Sequence, residues 1–300
     1  MLGEIRGTVR FKEPLRFHTS LRTGGPADVF VIPQDLDDVR HTLSFAYRQQ
    51  LPALVLGGGN KVLIRDAGIR GVVMKLEGCL ARAEFQGEEA MVGAGMPLAA
   101  LIRQAAALNL GGLEPLVGIP ATVGGALTTN AGTADGWIGD YVSAVYFLYP
   151  DGSLGEYKMA AAPLTERVIE IPSGVVVVGS RLRFHRRPAA DVHREIKQRV
   201  KQKSIAQPLA LASAGDVWRD PPGLSAARLV ARAGLRGKRV GSAEISAKHP
   251  NYIINRGGAR AVDILALMEL TRDRVRTQFR ITLEEDIRVL GEPLGRKAAA

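Results

Sequence analysis

Apolar and polar positions change their period several times along the first two hundred residues. Ala27–Ile32 reads as a strand. Leu36–Gln49 reads as a helix, with Asp35 placed to cap its start. Ala53–Leu56 is a short apolar strand that runs straight into Gly57-Gly58-Gly59, and Gly71–Leu76 is another. Pro97–Leu108 predicts a helix with Pro97 in its first turn, and Gly174–Phe184 is a strand rich in β-branched residues.

The pattern changes at Arg186. Val192, Ile196 and Val200 recur every four residues and give a basic helix one narrow apolar stripe. Ser225–Ala233 predicts a helix stopped by Gly234. Ala261–Phe279 predicts a longer one, with Val262, Leu265, Met268, Leu270 and Val275 available for burial. The chain returns to alternation over Ile281–Leu290. Ile281, Leu283, Ile287 and Val289 share one face, while Thr282, Glu284, Asp286 and Arg288 share the other. The chain therefore divides into a β-rich, glycine-rich part, residues 1–186, and a smaller α+β part, residues 187–300.

Composition adds limits. Hydrophobic residues at 46% and charged residues at 23% exclude a disordered chain. A net charge of +10 calls for an anionic partner: nucleic acid, a membrane surface or a phosphorylated small molecule. The single cysteine, Cys79, excludes an intrachain disulfide and a thiolate metal cluster. The five histidines show no paired spacing of four, so no metal site is expected. The start lacks the apolar core of a signal peptide, and no apolar run approaches the ~20 residues that span a bilayer. The expectation is a cytoplasmic protein, with a monomer as the starting assumption. Residues 181–210 hold nine Lys or Arg against two acids, which suits a solvated linker helix better than a nucleic-acid arm. Aromatic residues at only 5%, and no recognised binding module, oppose a nucleic-acid partner.

The 34 glycines are clustered. Gly24-Gly25-Pro26, Gly57-Gly58-Gly59-Asn60, Gly93-Ala94-Gly95 and Gly118–Ala126 are separated by strands, and the last continues into Asn130-Ala131-Gly132. Small residues let amides converge on phosphate oxygens and let backbone approach a flat ring. Neither a P-loop nor a dinucleotide-fold glycine register is present. Turn chemistry would account for one cluster; four in one half favour a nucleotide-type cofactor.

These residues carry a resemblance. Leu56-Gly57-Gly58-Gly59, Gly118-Ile119-Pro120-Ala121-Thr122-Val123-Gly124-Gly125-Ala126 and Thr129-Asn130-Ala131-Gly132 resemble the FAD-binding half of the UDP-N-acetylenolpyruvoylglucosamine reductase family. Ser213-Ala214-Gly215, Asp220-Pro221-Pro222-Gly223, Lys248-His249-Pro250-Asn251-Tyr252 and Leu283-Glu284-Glu285-Asp286 resemble its substrate domain, in order and spacing. The resemblance implies an α+β fold: a two-subdomain FAD-binding module of the vanillyl-alcohol-oxidase (PCMH) type, then a C-terminal substrate-binding domain. It implies FAD and NADPH as cofactors, a UDP-sugar as substrate and a place in peptidoglycan precursor synthesis. NADPH reduces the flavin, hydride passes to the enolpyruvyl double bond, and a protein acid protonates the adjacent carbon to give UDP-N-acetylmuramate. It assigns cofactor binding to Gly57, Gly58, Gly59, Asn60, Lys61, Gly118, Ile119, Pro120, Ala121, Gly124, Gly125, Asn130, Ala131 and Gly132.

The chemistry positions depart from the family pattern. Arg167 matches the family's carboxylate-binding Arg but has lost its usual Tyr and Ser neighbours to Glu166 and Ile169. Asp216 stands where the family has a Ser or Cys proton donor, and it needs a raised pKa, from burial or a nearby carboxylate, to serve as an acid. Arg219 and Asp220 replace a Lys and an Asn on the UDP-sugar side, and Asp220 opposes a diphosphate. Asp286 replaces the family's second acid, a Glu, one methylene shorter. Asn60 and Lys61 replace Ser and Asn after the first glycines, with Lys61 expected against a cofactor phosphate. The expected function is the family reaction, with Asp216 as an unusual acid. A flavin oxidoreductase redirected to another nucleotide-sugar or enol ether, or a non-enzymatic flavin-binding protein, stands beside it.

Overall fold

The computed structural model describes residues 2–159, 171–172 and 174–293. The chain forms two compact units, each made of separate stretches. The first holds Met1–Phe11, Val29–Gly58 and Gly71–Gln202; the second holds Lys12–Asp28, Gly59–Arg70 and Lys203–Ala300. Two short excursions thus leave the N-terminal part for the second unit, and Arg187–Gln202 stays with the first.

Helix α1 (Leu36–Arg48) starts where Asp35, in extended conformation, accepts a hydrogen bond from the Asp38 amide. Val39, Leu43 and Ala46 are buried on one side of it. Helix α2 (Leu98–Ala107) follows Pro97, which is the residue before the helix and not part of its first turn. Helix α3 (Val123–Thr128) is a short piece capped by Thr122.

Strands Thr8–Pro14, Pro26–Ile32, Ile69–Met74 and Ala53–Val55 form one sheet in that order. Ala53–Val55 runs parallel to Val72–Met74, the connection passing through Gly57 and Gly58 at its start. A second sheet is antiparallel, in the order Leu154–Lys158, Val142–Leu148, Val176–Arg183, Glu89–Gly93, Ala83–Gln86. The first unit's core joins Val31, Val72 and Met74 to Leu98, Leu101, Val145, Leu148 and Leu182.

Helix α4 (Ala189–Ala206) is tied to the first unit at its start. Val192 is buried, Ile196 packs partly against that core, and Arg187 and Arg199 pair with Glu114 and Asp135. Of the expected apolar stripe, Val200 is exposed.

In the second unit Ala212–Asp216, Tyr252–Asn255, Ala243–Ile245 and Arg239–Val240 form an antiparallel sheet. Helices α5 (Ala226–Arg232) and α6 (Ala261–Phe279) cover it through Leu229, Val230, Ile264, Leu267 and Met268. The stripe that α6 buries is Ala261, Ile264, Leu267, Met268, Thr271 and Val275. Val262, expected inside, is 42% exposed, because the apolar stripe is centred one position away from it. The alternation over Ile281–Leu290 is real in burial at Leu283 and Ile287. Only Arg288–Leu290 is a ladder strand, parallel to Val62–Ile64, with one isolated bridge joining Trp218 and Glu285 ahead of it. No helix among the described residues is long and apolar enough to cross a membrane.

Candidate active site

In the first unit, three of the four glycine clusters meet. A Cβ on Gly57 would lie 2.8 Å from Thr122 Oγ1 and 3.7 Å from the Cα of Gly125, so only bare backbone fits there. Thr122 Oγ1 accepts a hydrogen bond from the Gly125 amide, which caps α3. The Gly124 amide donates to Ala94 O at 2.8 Å, which brings in the Gly93-Ala94-Gly95 turn. The amides of Gly57 and Gly58 have no acceptor among the described residues. Gly118 and Pro120 are exposed, while Ile119 and Ala121 are half-buried. Asn130 takes a left-handed turn at φ 42°, its side chain accepting from the Gly139 amide, and the Ala131 amide closes back on Ala126 O. Gly132 lies under the Trp137 ring, where a Cβ would come within 2.5 Å. The result is a loop cradle of small residues with two amides left for a ligand, which fits a flat ring system with a pyrophosphate. Gly24-Gly25 belongs to the other unit, where a Cβ on Gly25 would sit 2.1 Å from Asp66 O; turn packing accounts for that cluster.

In the second unit the acids gather. Strand Ala212–Asp216 pairs with Tyr252–Asn255 through a register shift between Ser213 and Asp216. Gly215, at φ 76°, supplies the left-handed residue that a bulge of this kind requires. The bulge places the Asp216 side chain beside Lys61, His249 and Asp286. Lys61 Nζ donates to Asp216 O at 2.8 Å and also pairs with the Asp286 carboxylate. His249 Nδ1 lies 3.7 Å from Asp216 Oδ1. Arg219 reaches Asp286 and Glu284 at 4.0 Å each. Gly59 is held at φ 66° against His18 O, and Asn60 is half-buried beside it.

Burial raises the Asp216 pKa above the ordinary aspartate value. The charges of Asp286 and Asp220 push the same way, while His249 and Lys61 oppose them. Burial, reinforced by the Asp216 charge, likewise pushes the Tyr252 hydroxyl up.

The sequence-derived site residues are thus partly brought together. Asp216, Asp286 and Arg219 share one cluster. Lys61, expected against a cofactor phosphate, directs its ammonium to that cluster. Asp220, expected on the UDP-sugar side, is exposed and accepts the Ala226 amide at the start of α5 at 2.8 Å. Arg167 lies outside the described residues. Two groups had no role assigned from sequence. Asn251 clamps Trp218 with both ends of its buried amide, at 2.9 and 2.8 Å. His249 presents a buried ring nitrogen toward Asp216. Both lie in the Lys248–Tyr252 motif, which was the available signal.

Comparisons with known proteins cover both parts of the chain. Residues 207–290 match the family model for the UDP-N-acetylenolpyruvoylglucosamine reductase C-terminal domain. Residues 27–157 match the model for an FAD binding domain. The UDP-N-acetylenolpyruvoylglucosamine reductase of Geobacter metallireducens is 38% identical over 290 residues, covering 97% of this chain and 96% of its own. That of an Anaeromyxobacter species is 39% identical over 288 residues, covering 96% and 90%. The crystal structure of the reductase from Thermus caldophilus superposes with a TM-score of 0.81 at 34% identity, covering 96% of this chain and 100% of that one. The chain therefore belongs to the UDP-N-acetylenolpyruvoylglucosamine reductase family.

Proposed function

We propose that the chain reduces the enolpyruvyl group of UDP-N-acetylglucosamine enolpyruvate to give UDP-N-acetylmuramate, with NADPH as the reductant. FAD, when bound, supplies the hydride carrier between the two. Gly57, Gly58, Gly118 to Ala121, Gly124, Gly125 and Asn130 to Gly132 would hold it. The FAD role falls to residues 1–186 and the substrate role to residues 187–300, with 59–70 lending Lys61 to the second compact unit.

The observation that carries this reading is Asp216. It stands at the family's donor position, on a glycine bulge, with a carboxyl held toward its protonated form by burial. A protonated carboxyl can deliver one proton to the carbon adjacent to the incoming hydride. Asp286 sits across Lys61 as the second acid. Arg219, on the solvent side of the pair, is suited to a diphosphate, and Arg167 to the substrate carboxylate. The net charge of +10 suits phosphorylated ligands. We place the enzyme in the cytoplasm as a monomer with no nucleic-acid partner.

Anaerobic half-reactions test the proposal. NADPH should bleach the flavin of the purified protein. Addition of the enolpyruvyl UDP-sugar should then restore the oxidised spectrum and yield UDP-N-acetylmuramate by mass spectrometry. Flavin that stays reduced with that substrate at every pH would rule the reaction out.

A further inference from the structure

We propose that Lys61 is a positioning residue for proton delivery, tying the bulge that carries Asp216 to the second carboxylate, Asp286. The proposal rests on the reading of Asp216 as the proton donor.

Lys61 is fixed at its own backbone first. Its carbonyl accepts the Arg288 amide at 2.9 Å, and the next residue, Val62, opens the strand that pairs with Arg288–Leu290. From this anchor the side chain reaches two targets. It donates to the carbonyl of Asp216 and pairs with the side chain of Asp286. The two acids are also joined through the main chain, since the Asp286 amide donates to Val217 O at 2.7 Å and the Arg219 amide to Glu284 O at 2.9 Å. The main chain therefore sets the spacing of the two segments. Lys61 adds what the main chain does not, namely the orientation of the Asp286 carboxylate and of the peptide that follows Asp216.

Gly215 shapes the bulge that Lys61 meets. Its φ of 76° is what requires glycine there, and Lys61 Nζ packs in ordinary contact with the bulge, 3.8 Å from where a Cβ would stand. The geometry also divides the two carboxyls. Lys61 engages the side chain of Asp286 but only the backbone of Asp216, leaving the Asp216 carboxyl to face His249. Lys61 and Asp286 are 38% and 36% exposed, so their pairing stabilises the fold little and its loss should be read in chemistry.

The groups around Asp216 are Lys61 and His249 as cations or potential cations, Asp286 and Asp220 as acids, and the Tyr252 hydroxyl. Arg219 stands behind Asp286. Removing Lys61 withdraws one nearby positive charge and leaves the acids. Asp216 should then keep its proton to higher pH, while its aim and that of Asp286 loosen.

Lys61→Met and Lys61→Arg test this at saturating FAD, following reoxidation of the reduced flavin by the enolpyruvyl UDP-sugar across pH. Lys61→Met should slow reoxidation about tenfold or more and move the alkaline limit of the rate upward. FAD affinity and flavin reduction by NADPH should stay close to wild type. Lys61→Arg should restore most of the rate and the pH limit. An unchanged rate and pH limit in Lys61→Met would overturn the proposal, as would a loss that follows weakened FAD binding alone, which would return Lys61 to a phosphate contact. Titration of the Asp216 side-chain carbon by NMR separates this from the functional reading. If the wild type turns over no enolpyruvyl substrate, the functional reading fails, and the NMR midpoint decides the Lys61 link by itself: raised in Lys61→Met it stands, unmoved it falls.

Discussion

The carboxyl of Asp216 lies 3.7 Å from Nδ1 of His249, and that ring nitrogen is buried without a hydrogen-bond partner among the described residues. The ring is held edge-to-face on Tyr252 at 4.8 Å, so its aim at Asp216 is set by packing. A serine in place of Asp216 would present no charge to this nitrogen. The aspartate presents one, and the surroundings oppose it by burial more than they welcome it through His249 and Lys61.

The first expected outcome is a pH dependence of proton delivery. Asp216 donates only while protonated, and its raised pKa extends that condition above the ordinary aspartate range. Flavin reoxidation by the enolpyruvyl substrate should therefore fall as pH rises through the pKa of the folded state. Asp216→Asn removes the proton and should slow this half-reaction by about a hundredfold or more. Asp216→Ser restores the family donor and should keep or raise the rate while weakening the pH dependence. Wild-type turnover in Asp216→Asn would remove Asp216 from the chemistry.

The same group makes stability depend on pH. Its folded pKa lies above its unfolded one, so the folded state holds the proton more tightly. The favourable contribution is complete below the unfolded pKa and is lost as pH rises through the folded value. Asp216→Asn has no such loss. Thermal melts should show the variant gaining on the wild type from pH 4 toward pH 8; a gap independent of pH would contradict the assignment.

Gly57→Ala should weaken FAD binding. The new methyl would stand 2.8 Å from Thr122 Oγ1, where the loop and α3 approach each other. Either the hydroxyl or the loop must shift, and both belong to the cradle. The dissociation constant from flavin fluorescence quenching should rise about tenfold, with a smaller change in melting temperature. Affinity equal to wild type would show that this contact is not part of the cofactor site.

Much of this was legible in the sequence because it depends on local pattern. Asp35 as a cap, the strand entering Gly57 and the helix over Ala261–Phe279 all follow from neighbours a few residues apart. So did the need for a raised pKa at Asp216, which follows from aspartate chemistry alone. The partner choices were not legible. Lys61 and Asp286 are 225 positions apart, and nothing local distinguishes a lysine aimed at a phosphate from one aimed at a carboxylate. Asp220 is assigned to the substrate side only by its place in a motif, while its bond to the Ala226 amide depends on how the proline turn closes. The Ile281–Leu290 alternation correctly marked Leu283 and Ile287 as buried, yet period two gives burial without naming a ladder partner.

Asp38 should govern acid stability of the first unit. Its side chain is fully buried, which by itself raises the pKa, but the amides of Arg6, Gln34 and Gly7 and the Arg6 charge outweigh burial and lower it. The folded pKa is below the unfolded one, so this stabilisation is present above the unfolded value and is lost as pH falls toward the folded one. Asp38→Asn keeps the shape but turns an NH2 toward one of three backbone donors. A cost of about 1–3 kcal/mol is expected at neutral pH, shrinking on acidification. A loss that is constant from pH 7 to pH 3 in urea melts would contradict the charge-based account.

Arg187 and Arg199 separate a buried ion pair from an exposed one on the same segment. Arg187 Nη1 reaches Glu114 at 2.8 Å, and Glu114 is only 3% exposed. Arg199 reaches Asp135 at 2.7 Å, and Asp135 is 61% exposed. Both arginines also pair with Glu195, so that contact is common to them. Arg187→Met strands a buried carboxylate that keeps, among the described residues, the Gly112 amide as partner, and should cost about 3 kcal/mol. Arg199→Met leaves its acid in water and should cost about 1 kcal/mol or less. Changing Glu114 to Gln in the Arg187→Met background removes the stranded charge and should recover part of the loss, whereas the same change in the Arg199→Met background should recover none. Equal losses from the two arginines in urea unfolding would mean that the burial of Glu114 adds nothing, and that the Glu195 contact they share accounts for both.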